Sequence, residues 1–562
     1  MHAIAGIASA LLALLIAHGL GRIVLRKRPA DPVRLVARTA AGLGLWGLCL
    51  LALGIAGLYT RAGLGALTVL LALPALGGGR QLIEDLGAWR GVFRDRLAAL
   101  IFAATALVLL FNAVRAAVPT SDNDSLRYHL AAPKTWLREG RIVYLPVITI
   151  NGPASAQCFN GLFLAFPGER GATLFVFLTL VLSVALAAAS LLSRYGPRAA
   201  AVAAAAIAGL LNFKDLIGSA SDIPAFTLFT LASLVFLADR AWLPAALFAG
   251  FAAGAKMAGL AVILIATLLT IPLGWRKTLG LALVAGALAF PWYLKSWAWT
   301  GNPVWPFAYS VFGGRDWSAA AGDELVWGLG LGRSPVDPAW FAGLAYRALL
   351  WRTGAPFLLV PLLLVLFRLD RRQKILLGAF CLAVPLWWLS SPQPRFLLPF
   401  HAAVAMTVAV AAARLMDRVR PLAVAAVVVL AVGLAYQGTG RAWNVWRGKS
   451  RRVCPRVVEH LNRELPGGAV VFVNAFGVEF LLERRFVTGI PLISCAVLWP
   501  DMRSAEELRA RLRELGITHV LTTPGPTPYF RTPPGRTLDP MLDRCGVLLR
   551  RDGGLALYAL RD

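Results

Sequence analysis

Charge is what this chain has least of. Asp, Glu, Lys and Arg make up 15% of its 562 residues, where soluble domains carry about 25%, so a soluble globular enzyme is excluded. Acids are the scarcer sign, 29 against 56 basic residues, for a formal charge of +27. In a soluble chain that surplus would suggest nucleic acid. Here the basic residues gather in clusters between apolar runs: Arg26-Lys27-Arg28, Arg90-Arg94-Arg96, Arg194-Arg198, Arg276-Lys277, Arg368-Arg371-Arg372-Lys374 and Arg414-Arg418-Arg420. That is the pattern of cytoplasmic loops under the positive-inside bias, and no nucleic-acid partner is expected. The six cysteines, Cys49, Cys158, Cys381, Cys454, Cys495 and Cys545, show no CxxC or metal spacing, so neither a disulfide framework nor a zinc site is indicated. The first apolar segment lacks a basic n-region and a small-residue cleavage site, so it reads as a retained helix and not a signal peptide.

What is abundant is apolar sequence: 58% of residues are hydrophobic and the mean hydropathy is +0.67. Runs such as Leu97 to Val118 and Ala172 to Leu192 are long enough to cross a hydrocarbon layer of roughly 30 Å. Segmentation gives helices near 2–25, 39–59, 62–79, 97–118, 172–192, 199–213, 223–238, 242–255, 257–274, 278–295, 350–367, 375–391, 396–413 and 421–437. The expected fold class is therefore an α-helical polytopic membrane protein, with roughly 12–14 transmembrane helices in residues 1–437 and a small α/β domain in 438–562. Placing the basic clusters inside puts the N-terminus, the long polar segments 119–171 and 291–349 and the C-terminal domain on the outer face of a bacterial cytoplasmic (inner) membrane, with the lipid bilayer as partner. The parity is weakest at 242–274, where two short helices meet at Lys256.

From about residue 438 no membrane-length run remains. Val457 to Leu465 and Ala505 to Leu515 read as helices, and 469–474 (AVVFVN), 518–523 (THVLTT) and 555–560 as strands. The domain has no Gly-rich phosphate loop and no paired acids, which favours support or acceptor recognition over catalysis. Just before it, Arg441, Trp443, Trp446, Arg447, Lys449, Arg451 and Arg452 read as an interfacial anchor meeting anionic headgroups. The Trp-rich 292–305 reads as an aromatic belt lying flat at the interface, with Trp297 or Trp305 as candidates to stack on a sugar.

Chemistry concentrates in residues 121–146, SDNDSLRYHLAAPKTWLREGRIVYLP, which follow a helix exit. A helix beginning near Asp122 would put Asp124 and Tyr128 on one face at i, i+4; the bland alternative is that Asp122 or Asp124 caps that helix. Lys256 lies in an otherwise apolar run and Arg395 where an outer loop enters a helix. Ionisable groups at membrane depth are costly and thus functional candidates, although Lys256 could also snorkel. Asp222 heads a helix with Pro224 in its first turn, so it is either a cap or a second acid near the substrate. His129 either braces the loop or contacts phosphate, and Lys134 and Arg138 are either solvated or phosphate-facing.

The stretch DSLRYHLAAPKTWLREG resembles the first external loop of the GT-C glycosyltransferases, integral-membrane enzymes that take sugars from polyprenyl-phosphate carriers. It is most similar to the branch of protein O-mannosyltransferases and lipid A aminoarabinose transferases. Further resemblances follow in order at 221–229 (SDIPAFTLF), 250–260 (GFAAGAKMAGL), 291–307 (PWYLKSWAWTGNPVWPF) and 391–399 (SPQPRFLLP). The resemblance implies a GT-C fold and an inverting transfer from a polyprenyl-phosphate sugar donor to a glycolipid, glycan or protein acceptor. It makes Asp124 the base, and Asp122, Tyr128, His129, Lys134, Asp222, Lys256 and Arg395 the candidate substrate-binding residues. The chain departs from the pattern in carrying Asp124-Ser125 where that branch tends to have Asp-Glu, and in three extra helices before the loop. No cofactor is firmly expected. Asp122 with Asp124 leaves a divalent cation open, although two side chains make a poor cage, and no metal ligands are assigned. The competing class, a transporter or lipid flippase, would show repeats with broken helices in matching positions, and none is seen. A non-catalytic scaffold would need no acid-bearing loop.

Overall fold

The computed structural model describes residues 2–25, 31–211, 216–328, 368–391, 393–418, 452, 454–523 and 533–561. The chain opens with α1 (His2–Val24), α2 (Pro32–Ile55), α3 (Arg61–Leu76), α4 (Gly79–Gly87) and α5 (Arg96–Ala116). The scarce acids recur at helix starts. Asp31 accepts from Val33 N at 3.0 Å ahead of Pro32, and Asp95 accepts from Ala98 N at 2.9 Å; each satisfies an otherwise orphaned donor. A Cβ on Gly42 would meet Ala17 O at 1.7 Å, so glycine is what lets α1 and α2 touch backbone to backbone. At the same end the fully buried Asp85 of α4 binds His18 of α1 and both Arg34 and Arg38 of α2. A buried carboxylate is tolerable only when paired in this way, and here it ties three elements together.

After the loop come α6 (Ala131–Glu139), α7 (Ser155–Ala165), α8 (Glu169–Leu211), α9 (Ile223–Ala238), α10 (Trp242–Ala255), α11 (Gly259–Thr270) and α12 (Trp275–Thr300). A straight helix of 43 residues would be about 65 Å long at ~1.5 Å per residue, too long for one crossing. It reverses at Gly196, where φ is 83° and Pro197 follows. Accordingly both its ends reach the same face: Thr173 bonds Ala116 O, and Ala220, just past the other end, bonds Ser125. The expected division into 172–192 and 199–213 corresponds to these two arms. Lys256 takes extended backbone (φ −156°, ψ 148°) between α10 and α11, and the two remain separate helices. Then follow α13 (Tyr309–Phe312), α14 (Ala319–Gly328), α15 (Arg371–Ser390) and α16 (Leu398–Arg418). By length and composition seven helices among the described residues can cross a membrane, or eight if the bent pair Arg61–Leu76 and Gly79–Arg94 counts as one; α9, α10 and α11 are apolar but shorter. The expected helices at 350–367 and 421–437, and the stretch 441–451, lie outside the described residues.

The Trp-rich segment is not a separate flat-lying element: residues 292–300 are the last turns of α12 and 301–305 a turn beyond it, with Trp292 and Trp305 buried and Trp297 exposed. Trp305 packs against Tyr144 and Trp317, so protein already covers it and it cannot stack on a sugar.

The C-terminal part is an α/β sandwich of α17 (Arg456–Glu464), α18 (Ala505–Glu514) and α19 (Gly535–Cys545) on a sheet of β1 (Val470–Asn474), β2 (Arg485–Thr488), β3 (His519–Thr522), β4 (Gly546–Asp552) and β5 (Leu555–Leu560). The order is β2-β1-β3-β5-β4, with β1 parallel to both neighbours and β5 antiparallel to both of its own. Alternation along β1 sends Val471 and Val473 to the core under α17 and Phe472 to that under α18 and α19, as a period of two requires. The domain sits on the face where the 117–154 loop emerges. Ile148 N bonds Ile493 O, and Cys495 N bonds Pro146 O.

Candidate active site

The loop after α5 is anchored before it does any chemistry. Thr120 N bonds Glu169, and Arg452 holds the same carboxylate at 2.7 and 2.9 Å. Arg452 is thus an internal clasp and not a headgroup anchor. Asp122 accepts from Ser125 N at 2.8 Å and Ser125 Oγ at 2.6 Å, which is the capping reading. The turn that follows is wider than an α-turn: Ser125–His129 is π-helical, closed by Leu130 N to Ser125 O at 2.9 Å. Such bulges re-aim side chains and are frequent at functional sites.

Two acid–cation pairs meet beside this turn. Asp124 Oδ2 accepts from Arg395 Nη1 at 3.0 Å, with Arg127 Nη1 3.7 Å from its other oxygen. Asp222 does not cap α9; both its oxygens accept from Lys256 Nζ at 3.0 Å. The pairs adjoin, because Lys256 Nζ lies 4.8 Å and Arg395 Cζ 5.7 Å from the centre of one Phe396 ring. Four breaks in regular structure supply them: the π-turn, the start of α9, the extended residue after α10 and the 3₁₀ turn Pro394–Leu397. Tyr128 and His129 complete the group, their rings 4.4 Å apart.

The electrostatics follow from crowding and burial. Burial works against the Asp124 charge, but Arg395 chiefly, with Arg127 and the Tyr128 hydroxyl, more than offsets it and holds the carboxyl below its usual range. Burial raises Asp122 instead. For His129 burial dominates, with Asp222 and Asp124 opposing it, and its pKa falls to about 4, leaving the imidazole neutral at pH 7. A cation pair beside an ionised acid can bind an anionic group and receive a proton from a neutral one.

Lys134 is not part of this group. Its ammonium donates to Phe480 O, Leu482 O and Glu483 in the C-terminal domain, all within 3.0 Å, and Arg138 also bonds Glu483. The physical reason is that α6 turns these two residues, one helical turn apart, toward the domain that covers it. Sequence reasoning missed Arg127, although it is one turn from Asp124. It also missed Gln157 and Asn160, which lie in an unremarkable apolar helix, and the buried Lys295, whose ammonium secures Gly152 O at 2.7 Å. Among the described residues no group of three His, Cys, Asp or Glu converges on one point.

The architecture is a bundle of membrane-length helices with acids and helix-end cations gathered at one end, beneath a small α/β domain, and solved structures share its fold. No protein-family model and no curated protein matches the chain. Among solved structures, apo ArnT from Cupriavidus metallidurans is similar over 82% of this chain and 97% of that one, with TM-score 0.55 and 15% identity. The same protein bound to undecaprenyl phosphate gives 0.49, also at 15% identity and with the same coverage. The Archaeoglobus fulgidus oligosaccharyltransferase complexed with zinc and sulfate gives 0.45 at 14%, over 75% of this chain and 68% of that one.

Proposed function

We propose that the chain is an integral-membrane glycosyltransferase, moving a sugar with inversion from a polyprenyl-phosphate-linked donor to a hydroxyl of a glycolipid, glycan or protein acceptor. The reaction would take place on the outer face of a bacterial cytoplasmic membrane. The observation that carries the reading is the pairing of Asp124 with Arg395 and of Asp222 with Lys256 against one Phe396 ring. The resemblance of the loop motif to GT-C enzymes points to the same chemistry.

In this reading Arg395 and Lys256 take the donor phosphate. As Arg395 turns to the phosphate, Asp124 loses its chief cation and becomes a stronger base. It removes the acceptor hydroxyl proton while the oxygen attacks C1 of the sugar. The C1–O bond to phosphate breaks, and the electron pair leaves with polyprenyl phosphate, whose growing charge the two cations stabilise. No acid is needed on that side, because phosphate is already a good leaving group.

The test is release of undecaprenyl phosphate from a panel of undecaprenyl-phosphate sugars by the purified full chain. Asp124→Asn keeps the shape but not the proton acceptor, so turnover should fall by about 10²- to 10⁴-fold with elution unchanged. Wild-type turnover in this variant would sink the base assignment.

A further inference from the structure

One helix reaches both acid-bearing loops. Gln157 and Asn160 stand one turn apart on a single face of α7, and both are buried. Asn160 Nδ2 donates to His129 O at 3.0 Å and to Ala220 O at 2.8 Å, and Ala220 N in turn bonds Ser125 Oγ at 2.8 Å. The backbone that carries His129 and the backbone leading to Asp222 are thereby pinned together. Gln157 Nε2 lies 2.8 Å from His129 Nδ1. With Gln157 Nε2 on this side of the amide, the carboxamide N–H donates to a bare ring nitrogen, which puts the imidazole proton on His129 Nε2. Among the described residues Nε2 has no hydrogen-bond partner, while the charges that act on the ring are those of Asp222, Asp124, Lys256 and Arg395.

The geometry points to Gln157 as a positioning residue that sets His129 as a neutral Nε2–H donor for an oxygen of the donor phosphate. The inference rests on the proposed function for the identity of that anion, not for the tautomer. A neutral donor orients the phosphate without adding a third full positive charge to Arg395 and Lys256, which would hold the polyprenyl phosphate product after transfer. Burial of the ring, which keeps it uncharged across neutral pH, suits that role.

The first experiment is nitrogen NMR on the purified full chain with labelled histidine, the His129 signal being assigned among six histidines by its loss in His129→Asn. We expect a bare Nδ1 and a protonated Nε2 at neutral pH; a proton on Nδ1 overturns the proposal. The second is binding of a short-chain polyprenyl phosphate. Gln157→Met should weaken it by about 5- to 10-fold at every pH. Gln157→Glu instead accepts from Nδ1–H and favours imidazolium, so its affinity relative to wild type should fall as pH rises through about 7. A Glu variant whose ratio to wild type ignores pH, or a Met variant that binds normally, would also overturn it. Should wild type bind no polyprenyl phosphate while the tautomer is as stated, the donor reading fails and the setting of His129 by Gln157 stands.

Discussion

The Asp222–Lys256 pair is the sharpest test at the scale of single residues, because both side chains are largely buried and each satisfies the other. Removing one member of such a pair leaves a charge without a partner and typically costs about 3–5 kcal/mol, whereas removing both is far cheaper. Lys256→Met and Asp222→Asn should each lower the thermal unfolding temperature in detergent, and the double variant should recover part of that loss while the proposed sugar transfer stays lost. Strictly additive destabilisation would show that the two groups do not depend on each other. These residues also mark how far the sequence could be read. Asp124, Tyr128, His129, Asp222, Lys256 and Arg395 are polar groups next to apolar runs, and membrane burial makes each conspicuous. Lys134 looks the same in sequence, yet it points into the C-terminal domain, and nothing in its neighbours gives that direction. Gln157 and Asn160 escaped because an amide on an otherwise apolar helix carries no charge to betray it.

Among the elements, long apolar helices were legible because their length alone excludes other structure. Short ones depended on partners. The edge strand β2 is only four residues long and follows Arg484, and the β4–β5 hairpin lacks alternation; its usable signal is Gly553-Gly554, both at positive φ, as a tight hairpin turn requires. The short turn Glu479–Leu481 after β1 shows an element with a measurable pH response. Burial raises the Glu479 carboxyl to about 7, against weaker help from Arg127, Thr488 and the Val478 amide. A folded-state pKa above the unfolded value means the contribution is complete below about pH 4.5 and is lost as pH rises through about 7. Glu479→Gln should therefore leave unfolding nearly unchanged near about pH 4 and stabilise the C-terminal domain by roughly 3 kcal/mol near about pH 8. The readout is thermal unfolding of the full chain at both values. A Gln variant that is no more stable at the alkaline value would show the carboxyl is ionised and well solvated.

At the scale of the whole molecule, the two ends of the bundle differ in what they hold. One end carries the paired acids and cations with the C-terminal domain seated over them. The other gathers the basic clusters. There Arg198 bonds both Asp95 and Asp417, and Tyr195 bonds Asp370, so the start of α5, the reversal in α8, the start of α15 and the end of α16 lie together. The segments bearing Arg90, Arg94, Arg96, Arg194, Arg371 and Arg414 are thus neighbours in space as well as in kind. Short loops rich in Lys and Arg tend to stay in the cytoplasm, so we propose that the acid-bearing end, and the C-terminal domain with it, faces outside. In the sequence this orientation rests on counting helices, a parity that one miscounted span would invert; the three-dimensional separation of the two ends does not depend on the count. The exposed Ala510 on α18 and Lys277 at the start of α12 make the test. In a chain without its native cysteines, Ala510→Cys should react with a membrane-impermeant maleimide in intact spheroplasts and Lys277→Cys only after lysis. The reverse pattern would turn the active site toward the cytoplasm, where a donor presented on the outer leaflet could not reach Asp124.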